Sequence, residues 1–168
     1  RPYMTKKLVA LVMALMMLLS VTALAETADT SDWETYNFED AQLTISCPAD
    51  MAVVELTDEQ TEAGICFATA AADGSLSMAV YCFDPEGATL ADAQAEMETT
   101  EGYQCAANQV NGIDVVAFST VANETAVLGC LVMGADGYVY QFMFMPTNDA
   151  GTQMADQIIS TLNVLKAE

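Results

Sequence analysis

The chain is predicted to fold as an α+β domain, an antiparallel sheet of about six to seven strands covered by helices on both faces. Three observations carry this. Strand-length apolar runs are punctuated by Asp-Gly and Asn-Gly pairs, which join neighbours as antiparallel hairpins. Two segments, near 89–100 and 148–165, change to a helical period. The strands of the second half are apolar on both sides, so a layer must lie on each.

The first 25 residues are set apart from this domain. Met4 is read as the start, leaving Arg1, Pro2 and Tyr3 aside, because Lys6 and Lys7 lead into an apolar run from Leu8 to Val21. That run has 14 residues, about 21 Å of helix against a hydrocarbon core of roughly 30 Å. Ala23-Leu24-Ala25 has the small-x-small form that signal peptidase accepts, which places cleavage before Glu26. An uncleaved leader running to Ala25, about 27 Å long, is the competing reading. No cysteine stands at the cut, the first being Cys47, so a lipoprotein is not expected. The expected organisation is a signal peptide over 1–25, an acidic tether over 26–35 and one domain over 36–168. The chain is then secreted or extracytoplasmic, with no stable membrane anchor after cleavage.

The elements follow in order. Gln42–Pro48, "QLTISCP", alternates and stops at a proline, as a strand does. Ala52–Leu56 is a second short strand, and Thr57-x-x-Gln60 has the form of a cap on one helical turn. "GICFATAA" and "SLSMAVYCFD" flank Asp73-Gly74, a hairpin signal. Thr89-x-x-Asp92 caps a helix running from about Thr89 to Thr100, with Leu90, Ala93 and Met97 on one face.

A four-strand meander then turns at Asn111-Gly112, Asn123-Glu124 and Asp136-Gly137. Two-residue turns at each would set Val110 opposite Ile113, Ala122 opposite Thr125 and Ala135 opposite Tyr138. One face would carry Ile113, Val115, Ala117, Leu128, Cys130, Val132, Val139, Gln141 and Met143. The other would carry Val116, Phe118, Val127, Leu131, Tyr138, Tyr140, Phe142 and Phe144. Asn148 or Asp149 starts a last helix, whose stripe is Met154, Ile158, Ile159, Leu162 and Leu165.

Composition excludes more than it selects. Arg1, Lys6 and Lys7 leave with the leader, so Lys166 alone faces 24 acids, a formal charge of −23. Such a surface repels nucleic acid and anionic lipid, both of which are bound through Lys and Arg. With no histidine, Ser-His-Asp triads, Cys-His pairs and His-ligated zinc are ruled out, and no phosphate-cradling glycine loop occurs. No cofactor is expected. Carboxylate pairs remain for glycoside hydrolysis, but 24 acids produce such pairs by chance. The chain is therefore read as a non-enzyme. The acids Asp29, Asp32, Glu34, Glu39 and Asp40 are dense, yet they do not follow a calcium-loop spacing.

With Trp33 and Tyr36, these acids are the candidate contacts for a partner or a cation, although Trp33, Tyr36 and Phe38 would equally staple the chain's entry onto the sheet. The partner is an unknown protein or small ligand. A cation-binding or carbohydrate-active role is the alternative. The five cysteines have no C-x-x-C spacing and sit in apolar runs, which suits buried thiols. Cys66 and Cys82 are the candidate disulfide: a three-residue loop at Asp73–Ser75 would bring them face to face, and a two-residue turn would point them apart. Asn123-Glu124-Thr125 is a formal glycosylation acceptor, for which no glycan is expected in a bacterial chain.

The order of elements, together with "LTISCPADM" and "IISTLNVL", resembles the PsbP-like superfamily, which includes an oxygen-evolving photosystem protein, a Ran-binding branch and exported bacterial DcrB-type proteins. The resemblance spans about Tyr36 to Leu165. It implies an α-β-α sandwich and action by docking on other proteins. Lacking histidine and nearly all lysine, this chain cannot carry the ion-retention or GTPase-docking residues of those branches, so only the fold is transferred.

Overall fold

The computed structural model describes residues 31–122 and 124–166. Strands β1 (Glu34–Phe38), β2 (Leu43–Cys47) and β3 (Met51–Val53) lead to a one-turn helix α1 (Asp58–Glu62). The hairpin β4 (Ile65–Ala71) and β5 (Leu76–Phe83) follows, then helix α2 (Leu90–Thr99). The meander is β6 (Gln104–Val110), β7 (Ile113–Ala122), β8 (Thr125–Met133) and β9 (Val139–Pro146). Helix α3 (Asp149–Ser160) and a two-residue strand β10 (Asn163–Val164) close the chain.

Both short cap signatures are realised. The Thr57 side chain accepts from Gln60 N while Gln60 reaches back to the Thr57 N–H, and Thr89 and Asp92 do the same for α2. Asn148 Oδ1 accepts from Gly151 N at 2.8 Å to start α3.

The main sheet has seven strands in the order β3-β4-β5-β9-β8-β7-β6, all antiparallel. The fold class is as expected, with one layer the sequence did not specify: a small sheet, β1-β2-β10, shares one face with α3. There Ile45 and Cys47 of β2 and Ala155, Ile158 and Leu162 of the C-terminal segment bury Met78, Val80, Cys130, Phe142 and Phe144. On the opposite face α2 lays Ala93 and Met97 on Val116, Phe118, Leu131 and Val139. Each of the larger side chains so buried contributes on the order of 1.5–3 kcal/mol.

Two of the three meander turns have the expected register, Val110 opposite Ile113 and Ala122 opposite Thr125. The third differs by one residue. Met133 pairs with Val139, and Gly134 N donates to Tyr138 O at 2.8 Å, which leaves a three-residue loop of Ala135, Asp136 and Gly137. Gly137 takes φ 84°, the left-handed residue that such a loop needs. A one-residue slip reverses every side chain of a strand. Tyr140, Phe142 and Phe144 therefore join Val115, Leu128, Cys130 and Val132, while Val139, Gln141 and Met143 join Val116, Phe118, Val127 and Leu131. The expected faces of β9 are thus corrected.

The layers are also tied by polar bonds. Asn111, in the β6–β7 turn at φ 50°, donates from Nδ2 to Ser160 O at 3.0 Å and Leu162 O at 2.7 Å, satisfying carbonyls at the end of α3. Thr161 Oγ1 accepts from Ser46 N at 2.8 Å, where β2 has run past the end of β10. No helix among the described residues is long and apolar enough to cross a membrane.

Candidate functional site

The residues singled out near the start of the domain divide by chemistry. Trp33, Tyr36 and Phe38 turn inward and pack on the core, whereas Asp32, Glu34, Glu39 and Asp40 are exposed. Ala23, Ala25, Glu26, Asp29 and Asn123 lie outside the described residues. The ring of Tyr36 lies 4.7 Å from that of Phe67, and Phe38 meets Phe67, Phe142 and Tyr140 edge-on at 5.8, 5.6 and 6.1 Å. These aromatics fasten β1 to the main sheet, each such pair adding roughly 0.5–1.5 kcal/mol.

Beside this aromatic cluster the β1–β2 turn meets the β8–β9 loop, where Ala135 N donates to Ala41 O at 2.9 Å. Tyr140 OH donates to Asp136 Oδ2 at 2.7 Å, and Asp136 Oδ1 accepts from Tyr138 N at 3.1 Å. Burial, then the Asp136 bond, then Cys82 push the Tyr140 hydroxyl well above its ordinary value. The Cys82 thiol is raised by burial first; the Tyr140 hydroxyl opposes this, and the charges of Asp136 and Asp40 reinforce it. At neutral pH this corner holds a neutral phenol and a neutral thiol. Its bonds hold the β1–β2 turn and the β8–β9 loop together. Among the described residues no three of Cys, Asp and Glu come together as metal ligands do.

The β4–β5 hairpin has the two-residue register at Asp73-Gly74, with Ala70 opposite Ser77. A bulge then intervenes between Ile65 and Phe67, and it alters where Cys66 points. All five cysteines are free thiols.

Among the described residues, β6 ends the main sheet, pairs with no strand but β7, and exposes five of its seven residues. Its sequence, "QCAANQV", contains no charge and no proline. Proteins ordinarily protect an edge of this length with lysine, proline or a bulge, because its free N–H and C=O groups template another strand. Acids stand at both ends: Glu98 and Glu101 precede the strand, and Asp114 follows it, accepting from Gln109 Nε2 at 2.7 Å. The opposite edge, β3, has three residues. Sequence reading gave β6 as a strand but not as an edge; the signal available was a strand that opens a meander directly after a helix.

No family model matches the chain, and the curated proteins contain no match. The fold itself has solved neighbours. The chain is similar to cyanobacterial PsbP (CyanoP) from Synechocystis, with 12% identity, a TM-score of 0.55, and coverage of 88% of this chain and 97% of that one. A protein from Bacteroides thetaiotaomicron has 15% identity and a TM-score of 0.55, matching 80% of this chain but 49% of its own length. LpqN of Mycobacterium tuberculosis, described as involved in cell envelope biogenesis, has 13% identity and a TM-score of 0.45, over 79% of this chain and 90% of its own. The fold is PsbP-like, as the order of elements implied.

Proposed function

We propose that this chain is an exported, non-enzymatic domain that binds another protein by accepting an extended, basic segment along the free edge of β6. The observation that carries the reading is that edge: seven residues without charge or proline, five of them exposed, flanked by acids. Strand addition draws its affinity from main-chain hydrogen bonds, which this edge supplies once the Asn108 side chain releases the Gln109 N–H that it accepts from at 2.8 Å. The charge selects the partner. A chain with a formal charge of −20 repels a second copy of itself and attracts a basic strand. The apolar leader supports export.

The test is calorimetric titration of the full-length chain with an extended peptide of alternating valine and lysine. The control is the same peptide N-methylated at every amide, which keeps its charge but removes the donors of both edges. Binding of the first and not the second is expected, weakening as salt is raised. Equal binding of the two, or of neither, overturns strand addition. Turnover in a panel of glycosidase and esterase substrates would remove the non-enzymatic reading.

A further inference from the structure

The bulge in β4 has a chemical consequence. Cys82 N donates to Gly64 O at 2.9 Å, and Ile65 stands opposite Tyr81, so Gly64 and Cys82 share a face of the sheet. Cys66 is the extra residue of the bulge, and the Cys82 sulfur lies close enough to act on its thiol, which sets Cys66 on that face as well. Phe67 stands opposite Val80, also on that face, so the extra residue leaves Cys66 and Phe67 pointing the same way. Without the bulge, the two-residue turn at Asp73-Gly74 would point Cys66 and Cys82 to opposite faces. They are instead diagonal neighbours across adjacent strands, Cys66 exposed and Cys82 half-buried.

We propose that Cys66 and Cys82 are a redox pair that closes to a disulfide when the chain meets a small-molecule or protein disulfide, a proposal that takes its oxidising setting from the export reading. The exposed Cys66 thiolate attacks the oxidant's sulfur, forming a mixed disulfide and expelling one thiolate. The Cys82 thiolate then attacks Cys66 Sγ and expels the second. Two electrons pass from the cysteine pair to the oxidant, and the two protons end on its two thiols. Two features set the rate. The Cys66 thiol is pushed up to about 11, by desolvation first and by the neighbouring Cys82 sulfur next. Cys82 is raised by burial and by Asp136 and Asp40, with the Tyr140 hydroxyl pulling it down. Below about 11 the Cys66 thiolate fraction, and with it the attack on the oxidant, rises about tenfold per pH unit. The chain's formal charge of −20 makes cationic cystamine a faster oxidant than anionic oxidised glutathione.

The experiment oxidises the purified, reduced full-length chain with cystamine, then reads intact mass with and without reductant after alkylation. Cleavage after acidic residues follows, since Asp73 lies between the two cysteines and separates their peptides. The expected result is a loss of two hydrogens, one linked pair of peptides holding Cys66 and Cys82, and three alkylated thiols. Cys66→Ser and Cys82→Ser each abolish the link, and Cys105→Ser does not. A stable cystamine adduct on Cys66 in the unaltered chain, or a bond through any other cysteine, overturns the proposal. Closure with cystamine combined with a chain that fractionates only with the cytoplasm would fault the export reading and leave the pair intact.

Discussion

Gln141 stands directly opposite Leu131 in the β8–β9 ladder, fully buried on the side of the sheet that α2 covers, and neither its Nε2 nor its Oε1 has a partner among the described residues. Its other neighbour across the ladder is Tyr81. Burying a primary amide without bonds costs roughly 1–3 kcal/mol. The cluster on that face includes Val116, Phe118, Val127, Leu131, Val139 and Met143.

Gln141→Met is therefore expected to stabilise the domain by about 1–2 kcal/mol, since it keeps the length of the side chain and removes the unsatisfied groups. The measurement is the midpoint of urea unfolding at constant slope. A lowered midpoint would show that the amide is satisfied in solution.

Thr161 replaces a missing strand. β10 reaches no further along β2 than Thr44, and the Ser46 N–H beyond it is taken by Thr161 Oγ1 at 2.8 Å, while the same hydroxyl donates to Ile158 O at 2.6 Å. Thr161→Val preserves the shape and strands the Ser46 donor, at an expected cost of about 1–3 kcal/mol. Hydrogen exchange at the Ser46 amide should quicken more than that of its neighbours on β2. Uniform change along the strand would argue against this bond as the cause.

Cys47 and Cys130 make stability fall on the alkaline side. Burial pushes both thiols up to about 12 from an ordinary 9.0; for Cys47 the Thr69 hydroxyl opposes this and Glu34 adds to it. In the unfolded chain they ionise near 9, so above that pH the unfolded state holds fewer protons and gains free energy relative to the fold. The stabilisation is complete below pH 9 and is lost progressively toward 12, at about 1.4 kcal/mol per unit for each thiol. Cys130→Ala should flatten the slope of unfolding free energy against pH between 9 and 11 by about one thiol's share. An unchanged slope would sink the assignment.

How far the sequence could be read depended on whether a feature was local. The caps at Thr57, Thr89 and Asn148 each lie within a few residues of the groups they satisfy, and they were legible. The Asp136-Gly137 pair was legible as a turn but not in its length, because Gly137 serves a three-residue loop as readily as a two-residue one, and that difference decided which face holds Phe142 and Phe144. The bulge at Cys66 left no local signal: the sequence offered the meeting of Cys66 with Cys82 only through a three-residue loop at Asp73–Ser75, whereas the hairpin has the two-residue register. β10 was read as a continuation of the helical stripe, since Leu162 has the right spacing, although it is buried just after α3 ends at Ser160. The edge position of β6 depends on the order of seven strands, which no window of sequence contains.

That edge supplies the sharpest test of function. Ala106 and Asn108 are exposed, lie on one face of β6, and stand opposite Ala117 and Val115. Replacing both with lysine installs the kind of charge by which natural edges refuse a new strand, and it also opposes a basic peptide. Exposed positions of this kind change stability by about 0.5 kcal/mol or less, so the melting temperature should hold. Affinity for the valine-lysine peptide should drop at least tenfold, about 1.4 kcal/mol. Reversing the peptide's charge to glutamate should not restore binding to the unaltered chain, whose acids at Glu98, Glu101 and Asp114 remain, but should partly restore it to the double-lysine variant. Undiminished binding of the basic peptide by that variant would place the interface elsewhere on the acidic surface.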